Sequence, residues 1–265
     1  MKLSIVTPSF NQGQFIEKTF KSILDQKINF DLEYILTDAV STDNTDEIVR
    51  KYKPKFKDAG ISFIYISEKD KGQSDGINKG WKRATGDVIT YINSDDYYSS
   101  RVLDRVMKFF KDNPGCMWAY GGWNLVNKTE KVYKSVQPKK YSKARLLNYC
   151  NIGQPSCFFR RELLDKFGLL DQNLHLAMDY DLWLKFASVH PAGVIDVVVS
   201  NMRYYADAKS GARTTEQLKE ILNLGSRYTK PLSWRRACQY YYFLRGLAVC
   251  KINFDLTKRI DRKKV

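Results

Sequence analysis

The stretch Asp87-Val88-Ile89-Thr90-Tyr91-Ile92-Asn93-Ser94-Asp95-Asp96 decides how the chain is read. Its first six residues, rich in β-branched and aromatic side chains, predict a strand. The strand then breaks into an amide, a hydroxyl and two adjacent carboxylates. Upstream, the pattern repeats three times. Leu3 to Thr7 is an apolar run closed by Pro8, Glu33 to Thr37 is a second strand, and Ile61 to Ile66 a third. Helical spacing fills the gaps: Phe15, Ile16, Phe20, Ile23 and Leu24, then Ile48, Val49 and Tyr52, then residues 73–84. Asn44 and Glu47 are the expected cap and third position of the second helix. Downstream, Val102, Val106, Phe109 and Phe110 mark another helix. Repeated βα units of this length predict an α/β fold, Rossmann-like, with a mostly parallel sheet flanked by helices.

Each predicted strand ends in polar residues: Pro8-Ser9-Phe10-Asn11, Asp38 with Ser41-Thr42-Asp43, Glu68-Lys69-Asp70-Lys71-Gly72-Gln73, and Asn93-Ser94-Asp95-Asp96. Ligands bind at the carboxyl ends of strands in open α/β sheets, so four such clusters in register predict one site. Asp95 and Asp96 have two readings. They form an exposed acidic turn before a helix near Ser99, or they hold a divalent cation that neutralises their mutual repulsion and binds phosphate oxygens.

The middle of the chain is less regular. Strands are expected at 117–120, 156–159 and 193–205, and a helix from Met178 through Phe186, with Asp179 in its first turn where the helix dipole favours a carboxylate. From 214 onward the pattern is helical.

Composition narrows the functional classes. The 265 residues are 43% hydrophobic and 14% aromatic, which a disordered chain lacks. No G-x-G-x-x-G, G-x-x-x-x-G-K-[ST], G-x-S-x-G or H-E-x-x-H occurs, so dinucleotide, P-loop, serine-hydrolase and zinc-hydrolase readings fall away. Five irregularly spaced cysteines with no C-x-x-C predict reduced thiols. The N-terminus lacks a signal-peptide pattern, and a cytoplasmic location is expected.

The formal net charge is +15, and residues 209–265 hold fourteen Lys/Arg against four Asp/Glu. The chain is therefore divided into a domain at 1–208 and a basic helical extension at 209–265. Within 233–252, Trp234, Ala237, Tyr241, Leu244 and Ala248 recur at helical spacing with arginines between them. Such a helix packs back on the domain or lies on an anionic lipid surface at the inner face of the membrane. No recognised nucleic-acid module accompanies the charge, so nucleic acid is not expected.

The ordered set of motifs resembles the family 2 inverting nucleotide-sugar glycosyltransferases, which have the GT-A fold. The resemblance runs from Ser4-Ile5-Val6-Thr7-Pro8-Ser9-Phe10-Asn11 through Asp38, Ser67 to Asp75, Ile77-Asn78-Lys79-Gly80, Thr85-Gly86-Asp87, Asn93-Ser94-Asp95-Asp96 and Gln154-Pro155-Ser156 to Met178–Leu184. It implies a UDP-sugar donor, a glycan or polyprenyl-linked acceptor, a Mn2+ or Mg2+ cofactor, and a place in bacterial surface polysaccharide assembly. By position it implies that Asp38 reads the base, that Thr7, Pro8 and Asn11 line the nucleoside pocket, and that Lys71 and Asp75 lie near the ribose, diphosphate or sugar. Asp95 and Asp96 take the D-x-D-like position, with Asp96 on the metal. Asp179 is the implied catalytic base, with Asp181 the runner-up and Trp183 assigned to the core.

Two departures from the family pattern stand out. Ala39, Val40 and Asn44 replace glycines, and because a β-branched residue resists positive φ, the 38–45 loop is expected to take another path or not to need glycine. Tyr205 aligns with a histidine that ligates metal in many relatives. Tyrosine is a poor ligand for a hard cation, so weaker metal binding, or Asp207 as a substitute, is expected. The competing functional class is a nucleotide-binding protein of the same fold that has lost transfer.

Overall fold

The computed structural model describes residues 1–205 and 213–262. The first half alternates as expected: β1 (Lys2–Ser9), α1 (Gly13–Leu24), β2 (Asp31–Asp38), α2 (Thr45–Asp58), β3 (Ser62–Ser67), α3 (Gln73–Arg83), β4 (Val88–Tyr91), β5 (Tyr97–Tyr98) and α4 (Leu103–Asp112). There follow β6 (Trp118–Val126), β7 (Val132–Val136), α5 (Lys143–Asn148), a 3-10 turn at Gln154–Ser156, β8 (Cys157–Arg160), α6 (Glu162–Phe167), α7 (Met178–Val189) and β9 (Gly193–Arg203). Two further helices end the described chain, α8 (Thr214–Arg227) and α9 (Trp234–Arg262).

The strands form one sheet in the order β3-β2-β1-β4-β8-β6-β9-β5, with β7 paired to β6. The first four are parallel neighbours. Beyond β4 the sheet turns mixed: β8 runs antiparallel to both β4 and β6, and β9 runs parallel to β6. β5 then pairs antiparallel with β9. This last pairing carries the far end of the chain to the residues just after Asp95 and Asp96.

Both faces of the sheet are covered, and the period of two along each strand divides the core. Leu3, Ile5, Tyr34 and Leu36 pack with Ile16, Phe20, Val49, Phe56, Val106 and Phe110 from α1, α2 and α4. Val6, Ile35, Ile89 and Tyr91 pack on the other side with Ile77 and Trp81 of α3 and Trp183 and Phe186 of α7. Trp183 is fully buried and stacks on Trp118 with centroids 6.1 Å apart, so its assignment to the core holds. α3 lies so close to β1 that a Cβ on Gly80 would come within 2.4 Å of Val6 Cγ1, which leaves glycine as the residue that fits there.

Capping differs from expectation at α2. Asn44 occupies the cap position but makes no side-chain capping bond. The adjacent Asp43 accepts the Thr45 N–H at 3.0 Å and the Gly13 N–H at 2.8 Å, which ties the starts of α1 and α2 together.

Candidate active site

Ser9 lies in register with Asp38, and Asp38 with Ser67, so the polar strand ends do converge on one edge. Over that edge opens a cleft of about 550 Å³, within the range that holds a small-molecule ligand. Pro8, Asp95, Asp96 and Asp179 line it among the residues expected from sequence. Three buried polar atoms on the lining residues, Ser9 Oγ, Gln12 Oε1 and Gln154 Oε1, lack a hydrogen-bond partner. Buried polar groups are nearly always paired, so these atoms mark where a polar ligand would bond.

Asp95 and Asp96 are not an exposed turn, because Asp96 is only 4% exposed. α1 holds their backbone: the buried Thr19 hydroxyl donates to the Ser94 carbonyl at 3.0 Å and to the Asp96 carbonyl at 2.7 Å. Asp96 Oδ1 accepts the Arg203 N–H at 2.8 Å, and the Arg203 Nε–H donates to the Asp95 carbonyl at 2.9 Å. Burial and then the neighbouring Asp95 charge push the Asp96 carboxyl well above the usual carboxylate range. Burial likewise raises Asp95, against a hydrogen bond from Tyr205. Among the described residues no three His, Cys, Asp or Glu side chains group to hold a metal. Two crowded carboxylates facing a cleft nevertheless suit a hard cation that takes its remaining ligands from phosphate and water.

Tyr205 is not arranged as a ligand. Its hydroxyl donates to Asp95 Oδ2 at 3.1 Å, and burial with the Asp95 charge pushes its ionisation to higher pH, which keeps it protonated. Asp207, the suggested substitute, lies outside the described residues, as does the expected 208/209 domain boundary.

Asp179 sits in the first turn of α7, where its Oδ1 accepts the Tyr180 N–H at 2.8 Å. Tyr91, which lines the cleft, is kept protonated by burial first, with the charges of Asp179 and Asp96 both adding to the shift. Asp181 is buried and pairs with Lys185 at 2.7 Å, away from the cleft lining.

The remaining candidates surround the cleft without lining it. Thr7 is fully buried in β1. Asp38 is buried at the end of β2, where its carboxylate accepts the Ser41 N–H at 2.8 Å and hydroxyl at 2.5 Å. Asn11 bridges to the same loop, donating its N–H to Ser41 Oγ and accepting the Thr42 N–H, each at 2.8 Å. The exposed Lys71 donates its backbone N–H to Asp75, whose other oxygen accepts from Gln172 at 3.1 Å.

The loop after β2 corrects the expectation drawn from its missing glycines. Val40 adopts φ +61°, the left-handed conformation that a β-branched side chain resists. The bonds among Asp38, Ser41, Asn11 and Thr42 impose the path, and Val40 points its side chain toward solvent at 44% exposure. Val40→Gly is therefore expected to keep or raise stability, by up to about 1 kcal/mol after the entropy cost of glycine. Urea unfolding of the two proteins checks this.

Sequence reasoning assigned no role to Arg203, Gln217 or His175, which also line the cleft. Arg203 sits two positions before Tyr205, so alternation along a strand offered a signal. Gln217 gave none, since it belongs to α8 in the basic extension.

The chain matches the family model described as glycosyl transferase family 2 over residues 4–168. It is 28% identical over 251 residues to the UDP-Glc:alpha-D-GlcNAc-diphosphoundecaprenol beta-1,3-glucosyltransferase WfgD of Escherichia coli, covering 93% of this chain and 92% of that one. Among solved structures, the mannosyltransferase PcManGT of Pyrobaculum calidifontis in complex with GDP-Man and Mn2+ aligns with a TM-score of 0.69 at 18% identity, covering 94% and 73%. S. aureus TarS 1-349 in complex with UDP-GlcNAc aligns at 0.60 and 18%, covering 93% and 72%. The expected GT-A architecture is thereby borne out.

Proposed function

The chain belongs to glycosyl transferase family 2, and from that premise we propose that it moves a sugar from a UDP-sugar to a lipid-linked diphosphate glycan with inversion, in polysaccharide assembly. The observation that carries this reading is one cleft lined by the Asp95–Asp96 pair, by Asp179 and by unpartnered buried polar atoms. The WfgD relationship, spanning nearly the full length of both chains, supports the choice of donor and acceptor class.

In this reading Asp179 takes the proton of an acceptor hydroxyl as that oxygen bonds to the anomeric carbon. The bond from that carbon to the diphosphate oxygen breaks on the opposite face, and the nucleoside diphosphate leaves. A divalent cation held by Asp96, with Asp95 beside it, would supply neutralising charge for the diphosphate. Asp38 and Asn11 shape the base end by fixing the 38–45 loop, and Thr7 and Pro8 bound it from β1. Lys71 and Asp75 brace the turn that opens α3.

The test is release of UDP from UDP-glucose and UDP-GlcNAc, with and without a synthetic N-acetylglucosaminyl diphosphate lipid and Mn2+. Acceptor-dependent UDP release supports transfer. Nucleotide binding without turnover on any donor supports the binding-only class instead.

We also propose that α9 rests on an anionic membrane surface. The expected stripe is outward: Trp234 is 83% exposed, Tyr241 and Leu244 are each 61% exposed, and Ala237 and Ala248 are exposed with them. The helix's other side is docked, with the buried Gln239 donating to the Leu147 carbonyl at 2.7 Å. Among the described residues no helix is long and apolar enough to cross a membrane. Flotation with vesicles containing acidic phospholipid is expected, and Trp234→Ala with Tyr241→Ala is expected to abolish it. Wild-type protein that stays at the bottom of the gradient would remove the proposal.

A further inference from the structure

We propose that Glu220, in the C-terminal extension, is a positioning residue for Asp179, an inference that rests on the transfer reading above. α7 starts badly from its own sequence: its cap is Ala177, which has no side chain to bond the free N–H groups of the first turn. Glu220, from another element, instead holds the residues that lead into the helix, up to the cap itself. Its Oε2 accepts the Leu176 N–H at 2.9 Å and the Ala177 N–H at 3.0 Å, and its Oε1 accepts the His175 N–H at 3.4 Å. Three consecutive amides thus converge on one carboxylate.

Gln217 completes the grip. It lies three residues earlier on the same face of α8, and its Nε2 donates to the Leu176 carbonyl at 3.0 Å. The far end of the segment is held as firmly: Asn78 of α3 accepts the Leu170 N–H at 3.0 Å and donates to the Leu170 carbonyl at 2.9 Å. The peptide from 170 to 177 is therefore fixed at both ends, and Asp179 follows two residues past the second clamp. Charge-assisted bonds to backbone N–H groups are about twice as strong as neutral ones, so the carboxylate is the stronger half of the α8 contact. The extension then belongs to the reaction's machinery: it sets where the base stands, in addition to any role at a surface.

The experiment compares wild type, Glu220→Ala and the isosteric Glu220→Gln in the UDP-glucose and acceptor-lipid assay, alongside amide exchange of residues 175–177. Glu220→Ala is expected to lower kcat by about 100-fold, the effect of misplacing a reacting group by about 1 Å. KM for the donor changes far less than kcat, since the Asp95–Asp96 wall is untouched and only His175 and Leu176 of the released segment border the cleft. Glu220→Gln keeps one acceptor oxygen and is expected to fall between the two. The amides at 176 and 177 exchange faster in Glu220→Ala. Wild-type kcat in both variants overturns the inference, as does a loss of activity with unaltered amide exchange. A wild-type protein that turns over no donor counts against the transfer reading instead, and amide exchange alone then decides whether Glu220 holds the segment.

Discussion

Asp179→Asn is expected to lower transfer by about 10³-fold, in line with the contribution of a positioned general base. The substitution is chosen because asparagine keeps the shape of the side chain and an oxygen to accept the Tyr180 N–H, now 2.8 Å away. What it removes is the capacity to take a proton. UDP affinity, read by thermal shift, should persist, because the implied nucleotide-binding residues lie at the ends of β1 and β2 and in the turn that opens α3, not on α7. Asp181→Asn is the control. Its carboxylate serves the ion pair with Lys185, so stability falls while the remaining folded protein turns over normally. Equal losses of kcat in the two variants would remove Asp179 from its role.

The second large effect has opposite signs in the free and liganded protein. Asp96 is buried, and its carboxyl is pushed above the usual range by burial and by Asp95. A carboxyl whose folded pKa lies above its unfolded value favours the folded state most when protonated. Stability is therefore greatest below the unfolded pKa and declines as the pH rises toward the folded one. At neutral pH the ligand-free protein bears this strain, and Asp96→Asn relieves it while Oδ1 still accepts from Arg203. The expected result is a higher melting temperature without ligand. With UDP and Mn2+ the order reverses. Saturation at 100 times Kd stabilises wild type by about 2.7 kcal/mol, and this increment disappears in the variant along with most turnover. A UDP and Mn2+ shift of wild-type size in Asp96→Asn would refute Asp96 as the metal-holding residue.

Reading outward from the strand at 88–91, local chemistry gave the four parallel βα units and the cluster at each strand end. It also placed Asp179 at the start of a helix. These features depend on neighbours in sequence: a period of two or of 3.6, a breaker, a carboxylate in a first turn. The mixed half of the sheet was harder to read, because β8 and β9 carry no mark of which strands they join or in which direction. Their pairing follows from covering the core left open beside β4.

The exposed stripe from Trp234 to Ala248 shows the division within one helix. Its spacing was legible, but whether that face met the domain or solvent depended on where Gln239 docked, at the Leu147 carbonyl.

What the sequence by itself determined is the order of elements, and it pointed to Asp95, Asp96 and Asp179 as the acidic residues that the fold brings to one cleft. Tertiary structure alone decided that Asp96 is buried with Asp95 half-buried beside it, that Arg203 bonds Asp96 through its backbone N–H and the Asp95 carbonyl through its side chain, that Val40 is forced to positive φ, and that Glu220 holds the residues leading into α7. Each of these depends on groups brought together across the fold, Arg203 to Asp96 over 107 residues and Glu220 to Ala177 over 43. Burial and hydrogen-bond partnership are properties of that meeting, and no window of sequence contains both partners.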